Sequence, residues 1–311
     1  MIKELKSWGL LLLLAVIWGS SFILMKKGMF NENGDAIFSA PQVANLRILI
    51  ASLVLLPFAI RSMRKLMVRK DFTVLLVVGL SGNLLPAFLF TYAQTGISSG
   101  LSGMLNSFTP VFTLIIGTLI FRVKVSNAQI IGSFIGLIGI VLLILLGKNS
   151  AISGDFKPIL AVICATFLYG LSLNLIKHKL SAFKPIEITS LSFTTLLIPS
   201  IIGFFYFDTP ETIMDNHDAS HALIFITILA VIGTAMAVFL FNGIIKISSA
   251  LFASSVTYFI PIVAVIIGFL MKEKITSNQI MAMIIVLLGV LLIHHGDKFV
   301  KRGVDSKTRS N

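Results

Sequence analysis

The sequence predicts an all-α membrane protein: ten transmembrane helices in two inverted five-helix repeats. Three observations carry that expectation. The chain is 56% apolar and 12% charged, with a mean hydropathy of +0.98, whereas soluble globular domains carry about 25% charged residues. Apolar runs of bilayer length recur ten times along the 311 residues. The stretch 97–144 returns in altered form as 247–293, with Ser98-Ser99 matched by Ser248-Ser249, Pro110 by Pro261, Gly117 by Gly268, Gln129 by Gln279 and Gly139 by Gly289. A self-match half a chain long means that one unit was built twice.

A hydrocarbon core about 30 Å thick needs about 20 apolar residues in a helix. Runs near 8–26, 41–60, 72–94, 99–121 and 127–146 meet that in the first half, and 157–176, 186–206, 221–244, 249–271 and 277–295 in the second. Lys3 and Lys6 before the first run resemble a signal-peptide flank, but no small-residue cleavage site interrupts the run through Trp18 and Gly19 to Lys26, so it is expected as a retained helix. The first and third helices of the first unit pair with those of the second at an offset of 151: Trp18-Gly19 with Tyr169-Gly170, Ser21 with Ser172, Lys26 with Lys177, Gly82-Asn83 with Gly233-Thr234, and Phe88 to Phe90 with Phe239 to Phe241. Five spans per unit is an odd number, so the second copy enters the membrane upside down. The expected division is 1–147 for the first repeat, 148–296 for the second and 297–311 for a basic cytoplasmic tail.

Basic residues favour the cytoplasmic side of membrane helices. With the N-terminus inside, 18 of the 25 Lys and Arg fall on cytoplasmic segments, including the cluster Arg61, Arg64, Lys65, Arg69 and Lys70, while the acidic loop Asp208, Glu211, Asp215 and Asp218 falls outside. Both termini are expected to be cytoplasmic. This topology accounts for the net charge of +12; no aromatic residues interleave with the basic ones, so a nucleic-acid partner is not expected. The lipid bilayer and a small-molecule substrate are the expected partners, and the sequence leaves oligomeric state open.

Polar residues at membrane depth are the candidates for a substrate site. Pro110 and Pro261 lie inside their runs and lack an N–H, so each is expected to bend its helix and to free a carbonyl, that of Asn106 and that of Thr257. Such carbonyls either meet neighbouring helices or face a cavity. Trp18 and Tyr169 sit mid-span, away from interfacial aromatic belts, and want partners for an indole N–H and a phenol. Ser21, Asn83, Asn174, Thr234, Asn242 and Tyr258 add polar groups that serve either helix–helix hydrogen bonding or a wet cavity. Arg47 follows Pro41 by six residues and lies roughly 9 Å into its span; it either snorkels to the interface or meets a substrate carboxylate. Lys26 and Lys177 are expected as interfacial anchors, and the 25 Phe residues mostly against lipid.

WGSSF at Trp18 to Phe22, Arg47, the two prolines, and the GFLMKE run ending at Glu273 followed by Gln279 resemble the EamA-type branch of the drug/metabolite transporter superfamily. The resemblance implies a bacterial inner-membrane carrier that exports small metabolites, often amino acids, from a central cavity between the halves. The family usually closes the fourth span of each copy with Glu; this chain has Arg122 at the first of those positions, so a role for that acid carries over only at Glu273.

No Asp or Glu lies deep in any run, so a buried-acid proton relay has no evident residue. No HExxH, paired deep carboxylates or Gly-rich phosphate loop points to an enzyme, a metal or another cofactor. His294-His295 closes the last run without a ligand cluster and is expected at the interface. Cys164, the single cysteine, is expected as a small core residue. A secondary transporter leads; a membrane enzyme acting on lipid-linked substrates and a non-transporting scaffold are the alternatives.

Overall fold

The computed structural model describes residues 2–69, 71–97, 99–146, 156–270 and 277–308. These are helical almost throughout; the only pairing of strand type among them is the isolated bridge of Phe30 with Ala36. The first half contains helices Ile2–Met29, Ala40–Arg69, Phe72–Gly96, Ser99–Leu105 continued by Thr109–Leu119, and Asn127–Leu146. The second contains Phe156–Lys179, Pro185–Tyr206, Ala219–Ile247, Ala250–Ser254 continued by Val256–Leu270, and Ser277–Thr308. Seven described helices are long and apolar enough to cross a bilayer, and Asn127–Leu142, Ala250–Val263 and Ile280–Gly296 are apolar but shorter. The loop expected near 207–220 carries a helix of its own, Thr209–Asp215, and most of the connection expected near 61–71 continues the helix before it, which runs to Arg69. Glu273 lies outside the described residues, as does the side chain of Gln279.

Glycine decides how closely the halves approach. The helix containing Gly19 packs on the one containing Pro261, where a Cβ on Gly19 would lie 3.0 Å from Val263. Exchanging each residue for its repeat counterpart, Gly19 for Gly170 and Pro261 for Pro110, gives the same contact in the other half: a Cβ on Gly170 would lie 2.9 Å from the Phe112 and Thr113 backbone. The last helices of the two halves also pack together, Gly132, Gly136 and Gly139 of one facing Ala282, Val286 and Gly289 of the other. Small residues allow this backbone contact, and van der Waals packing is the main attraction between helices in lipid.

The exterior is apolar, the reverse of a soluble protein: Leu12, Leu13 and Val16 on the first helix and Ile198, Ile202 and Phe205 on Pro185–Tyr206 are exposed. Cys164 belongs to this outer surface, which corrects the expectation of a core cysteine. Helical periodicity turns position 164 outward, between Val162 and Ala165, which are buried. Lys177 is also more than an anchor. Its ammonium donates to the carbonyls of Ile245 and Ser248 at the end of Ala219–Ile247, and Lys246 donates to Leu180 and Ser181 just beyond Phe156–Lys179. Each lysine thus covers unsatisfied carbonyls and the negative pole of a neighbouring helix.

The two second helices begin alike. The Gln42 side-chain oxygen accepts from the Ser39 N–H at 2.8 Å, and the Glu187 carboxylate accepts from the Lys184 N–H at 2.7 Å. Gln42 also donates to the Phe207 carbonyl at 2.8 Å and to Thr212 Oγ1 at 2.7 Å, tying its helix to the turn after Tyr206. Gln42→Ala should therefore lower stability by about 1–3 kcal/mol, the usual cost of orphaning buried polar groups, read as a drop in thermal midpoint in detergent. An unchanged midpoint would show that this clamp contributes nothing.

Candidate functional site

A central cavity of about 100 Å³ lies between the halves. Most of its wall comes in repeat-matched pairs. Trp18 and Tyr169, Ser21 and Ser172, Asn83 and Thr234, Phe90 and Phe241, and Asn106 and Thr257 all line it, each pair 151 residues apart. The aromatic groups repeat as contacts too. Trp18 meets Phe241 edge-on at 4.9 Å between centroids, and Tyr169 stacks on Phe90 at 5.9 Å.

The third helix of each half carries a π turn at matched positions, Leu80–Leu84 and Val231–Met236. A π turn widens the helix by one residue and interrupts the regular hydrogen-bond ladder. At the second, Thr234 Oγ1 donates to the Leu229 carbonyl at 2.9 Å, and the Trp18 indole donates to the Gly233 carbonyl at 3.1 Å. Each turn contains a glycine with a serine of the other half against it. A Cβ on Gly233 would lie 2.8 Å from the Ser21 hydroxyl, and one on Gly82 would collide with that of Ser172. Gly82→Ala should cut transport severalfold, and adding Ser172→Gly should restore it; no gain from the second change would mean that the collision is not the cause.

Among the described residues Arg47 is the only charged one in the cavity wall. Its Nε donates to Thr234 Oγ1 at 2.6 Å, so the side chain reaches across to the other half instead of snorkelling outward. A guanidinium has five N–H donors. No carboxylate among the described residues lines the cavity to pair with it, and Tyr169 is near enough to interact with it electrostatically. An electropositive point in a largely apolar wall has the chemistry to receive an anion.

Two candidates lie outside the wall. Asn174 donates to the carbonyls of Thr113 and Gly170, both at 2.9 Å, fastening one helix of the second half to the helix containing Pro110. The Tyr258 hydroxyl donates to the Ser133 carbonyl at 2.9 Å in a fully buried contact. The prolines also act differently from expectation. Pro110 stands in the first turn of Thr109–Leu119, after a 3-10 turn at Asn106–Phe108, so it starts a helix segment where an interior kink was expected. Pro261 does lie inside its helix. Neither carbonyl is left free for a solute: that of Asn106 accepts from Thr109 Oγ1 at 2.7 Å, and that of Thr257 from Ser107 Oγ at 2.9 Å. What these positions give the cavity is their side chains. Arg122 lies past the end of Thr109–Leu119 with a left-handed φ of 51° and does not reach the wall.

Sequence reasoning missed Ser172, Ser192, Thr109, Phe22, Phe90 and Phe241 as lining residues. The repeat held a signal for three of them: Ser172 matches Ser21, and Phe90 matches Phe241. The three phenylalanines run against the expectation that Phe faces lipid. Among the described residues no group of three His, Cys, Asp or Glu could hold a metal ion.

Two repeat-matched helical halves around one internal cavity, with an apolar exterior, define a multi-pass membrane transporter. The chain belongs to the EamA-like transporter family, whose model matches twice, over residues 6–145 and 156–294. It is 23% identical over 290 residues to an uncharacterized transporter of Archaeoglobus fulgidus, covering 93% of this chain and 99% of that protein. It is 25% identical over 300 residues to an uncharacterized inner membrane transporter of Escherichia coli, covering 93% and 90%. It is 27% identical over 195 residues to a protein of Salmonella typhimurium named a probable amino-acid metabolite efflux pump, covering 61% and 60%. A crystal structure 12% identical in sequence superposes with a TM-score of 0.66 over 94% of this chain and 97% of that one, a likeness of fold.

Proposed function

We propose that this transporter exports small organic metabolites bearing a carboxylate, amino acids among them, by alternating access through the central cavity. The observation that carries the reading is Arg47, a cation held in the cavity wall against Thr234 with no acidic residue among the described residues lining the same space. A charge in that setting is costly unless a ligand of opposite sign visits it. The Salmonella relative named for amino-acid metabolite efflux supports the substrate class.

The architecture proposed with it is ten spans in two inverted repeats, 1–147 and 148–296, followed by the tail 297–311. The support is the odd number of long apolar helices per unit and the repetition of the Gly19 contact at Gly170 when each residue is exchanged for its repeat counterpart. The distribution of Lys and Arg supports both termini in the cytoplasm of a bacterial inner membrane. Trp18, Ser21, Arg47, Asn83, Asn106, Tyr169, Thr234, Asn242 and Thr257 are the substrate contacts in this reading. Flux in this reading follows the substrate gradient. Purified protein in liposomes preloaded with an unlabelled amino acid should take up the labelled one by counterflow, and should keep doing so with a protonophore present. Absence of counterflow across the common amino acids and their keto-acid analogues would sink the reading.

A further inference from the structure

We infer that the cavity is a two-pole site that prefers carboxylates carrying an uncharged hydrogen-bond donor at their far end, and that Asn242 sets this preference. The inference rests on the carboxylate reading above. The first pole is Arg47 with Thr234. The second is Asn242, which lines the cavity and is 2% exposed. Its amide nitrogen donates to Thr189 Oγ1 at 2.8 Å, while its Oδ1 is fully buried and accepts no hydrogen bond. A buried orphaned acceptor is expensive, and one in a cavity wall is satisfied when an occupant donates to it.

The second pole carries no charge. The helix starts set the register of the two second helices: Ser39 with Gln42 and Lys184 with Glu187 are 145 residues apart. The same offset takes Arg47 to Ser192, which also lines the cavity. Duplication therefore placed a cation at one end of the site and a hydroxyl at the other. Thr234 and Asn242 share a helix eight residues apart, roughly 12 Å along its axis. The aromatic side chains of Trp18 and Phe241 lie in the same wall. An occupant held at both poles has its carboxylate at one end, an apolar or aromatic middle, and an amide or hydroxyl beyond.

The test compares solutes that differ in that far donor: L-glutamine with L-norvaline, and L-tyrosine with L-phenylalanine, in proteoliposome counterflow. The wild type should prefer the donor-bearing member of each pair about tenfold or more, and Asn242→Leu should bring the members of each pair level. Ser192→Arg, which puts a cation at the second pole, should turn the preference from L-glutamine toward L-glutamate, and it serves as the test should Asn242→Leu fail to accumulate. Equal use of both members by the wild type, or a preference unchanged in the variants, overturns the inference while leaving the carboxylate reading intact. Movement of none of these solutes overturns both.

Discussion

Arg47→Gln should raise the apparent KM for carboxylate solutes about 10- to 100-fold in counterflow, with little loss of folded protein. A charge-assisted hydrogen bond contributes about 1.5–3 kcal/mol, and every 1.4 kcal/mol is about a tenfold change in affinity. Folding should not suffer, because Arg47 makes one side-chain hydrogen bond, to Thr234, and removing an unpaired cation from a largely apolar wall relieves a desolvation cost. Arg47→Lys should fall between the two, since an ammonium restores the charge without the planar fork. An Arg47→Gln protein with wild-type KM and intact folding would remove the basis for an anionic substrate.

Gly289→Val should prevent accumulation of folded protein. A Cβ at Gly289 would sit 2.5 Å from the Gly136 nitrogen and 2.7 Å from both the Gly132 carbonyl oxygen and the Gly136 Cα. All three are backbone atoms, so no rotamer change can make room. The helices Asn127–Leu146 and Ser277–Thr308 would have to separate. Overpacking a tight contact costs about 1–3 kcal/mol even where side chains can shift, and here the attraction between the two helices depends on the close approach that is lost. Gly9→Val is the matched control, because nothing lies within 4 Å of a Cβ there. Size-exclusion profiles of fluorescently tagged protein read the outcome; a monodisperse Gly289→Val peak at wild-type yield would show that the crossing does not hold the halves together.

Much of the candidate site was legible because duplication writes the same residue type twice. Trp18 and Tyr169, Asn83 and Thr234, and Asn106 and Thr257 stand at matched depths, and depth follows from counting along a helix. The direction in which a polar side chain faces did not follow from counting. Asn174 and Tyr258 are as polar and as central as Asn83, yet they spend their donors on the carbonyls of Gly170, Thr113 and Ser133. Of the two outcomes open to the carbonyls behind the prolines, a protein partner or the cavity, the structure holds the first: Thr109 and Ser107 supply the hydroxyls.

By itself the sequence determined that this is a helical membrane protein built twice, because hydropathy and a repeat are properties of the chain alone. Which residues share a cavity was decided only in three dimensions. Arg47 faces Thr234 from 187 residues away, and Asn242 keeps an unpartnered oxygen after meeting Thr189. In a membrane interior every polar group must find a partner or a wet surface, and which of the two it finds depends on the neighbouring helix, which no local pattern specifies.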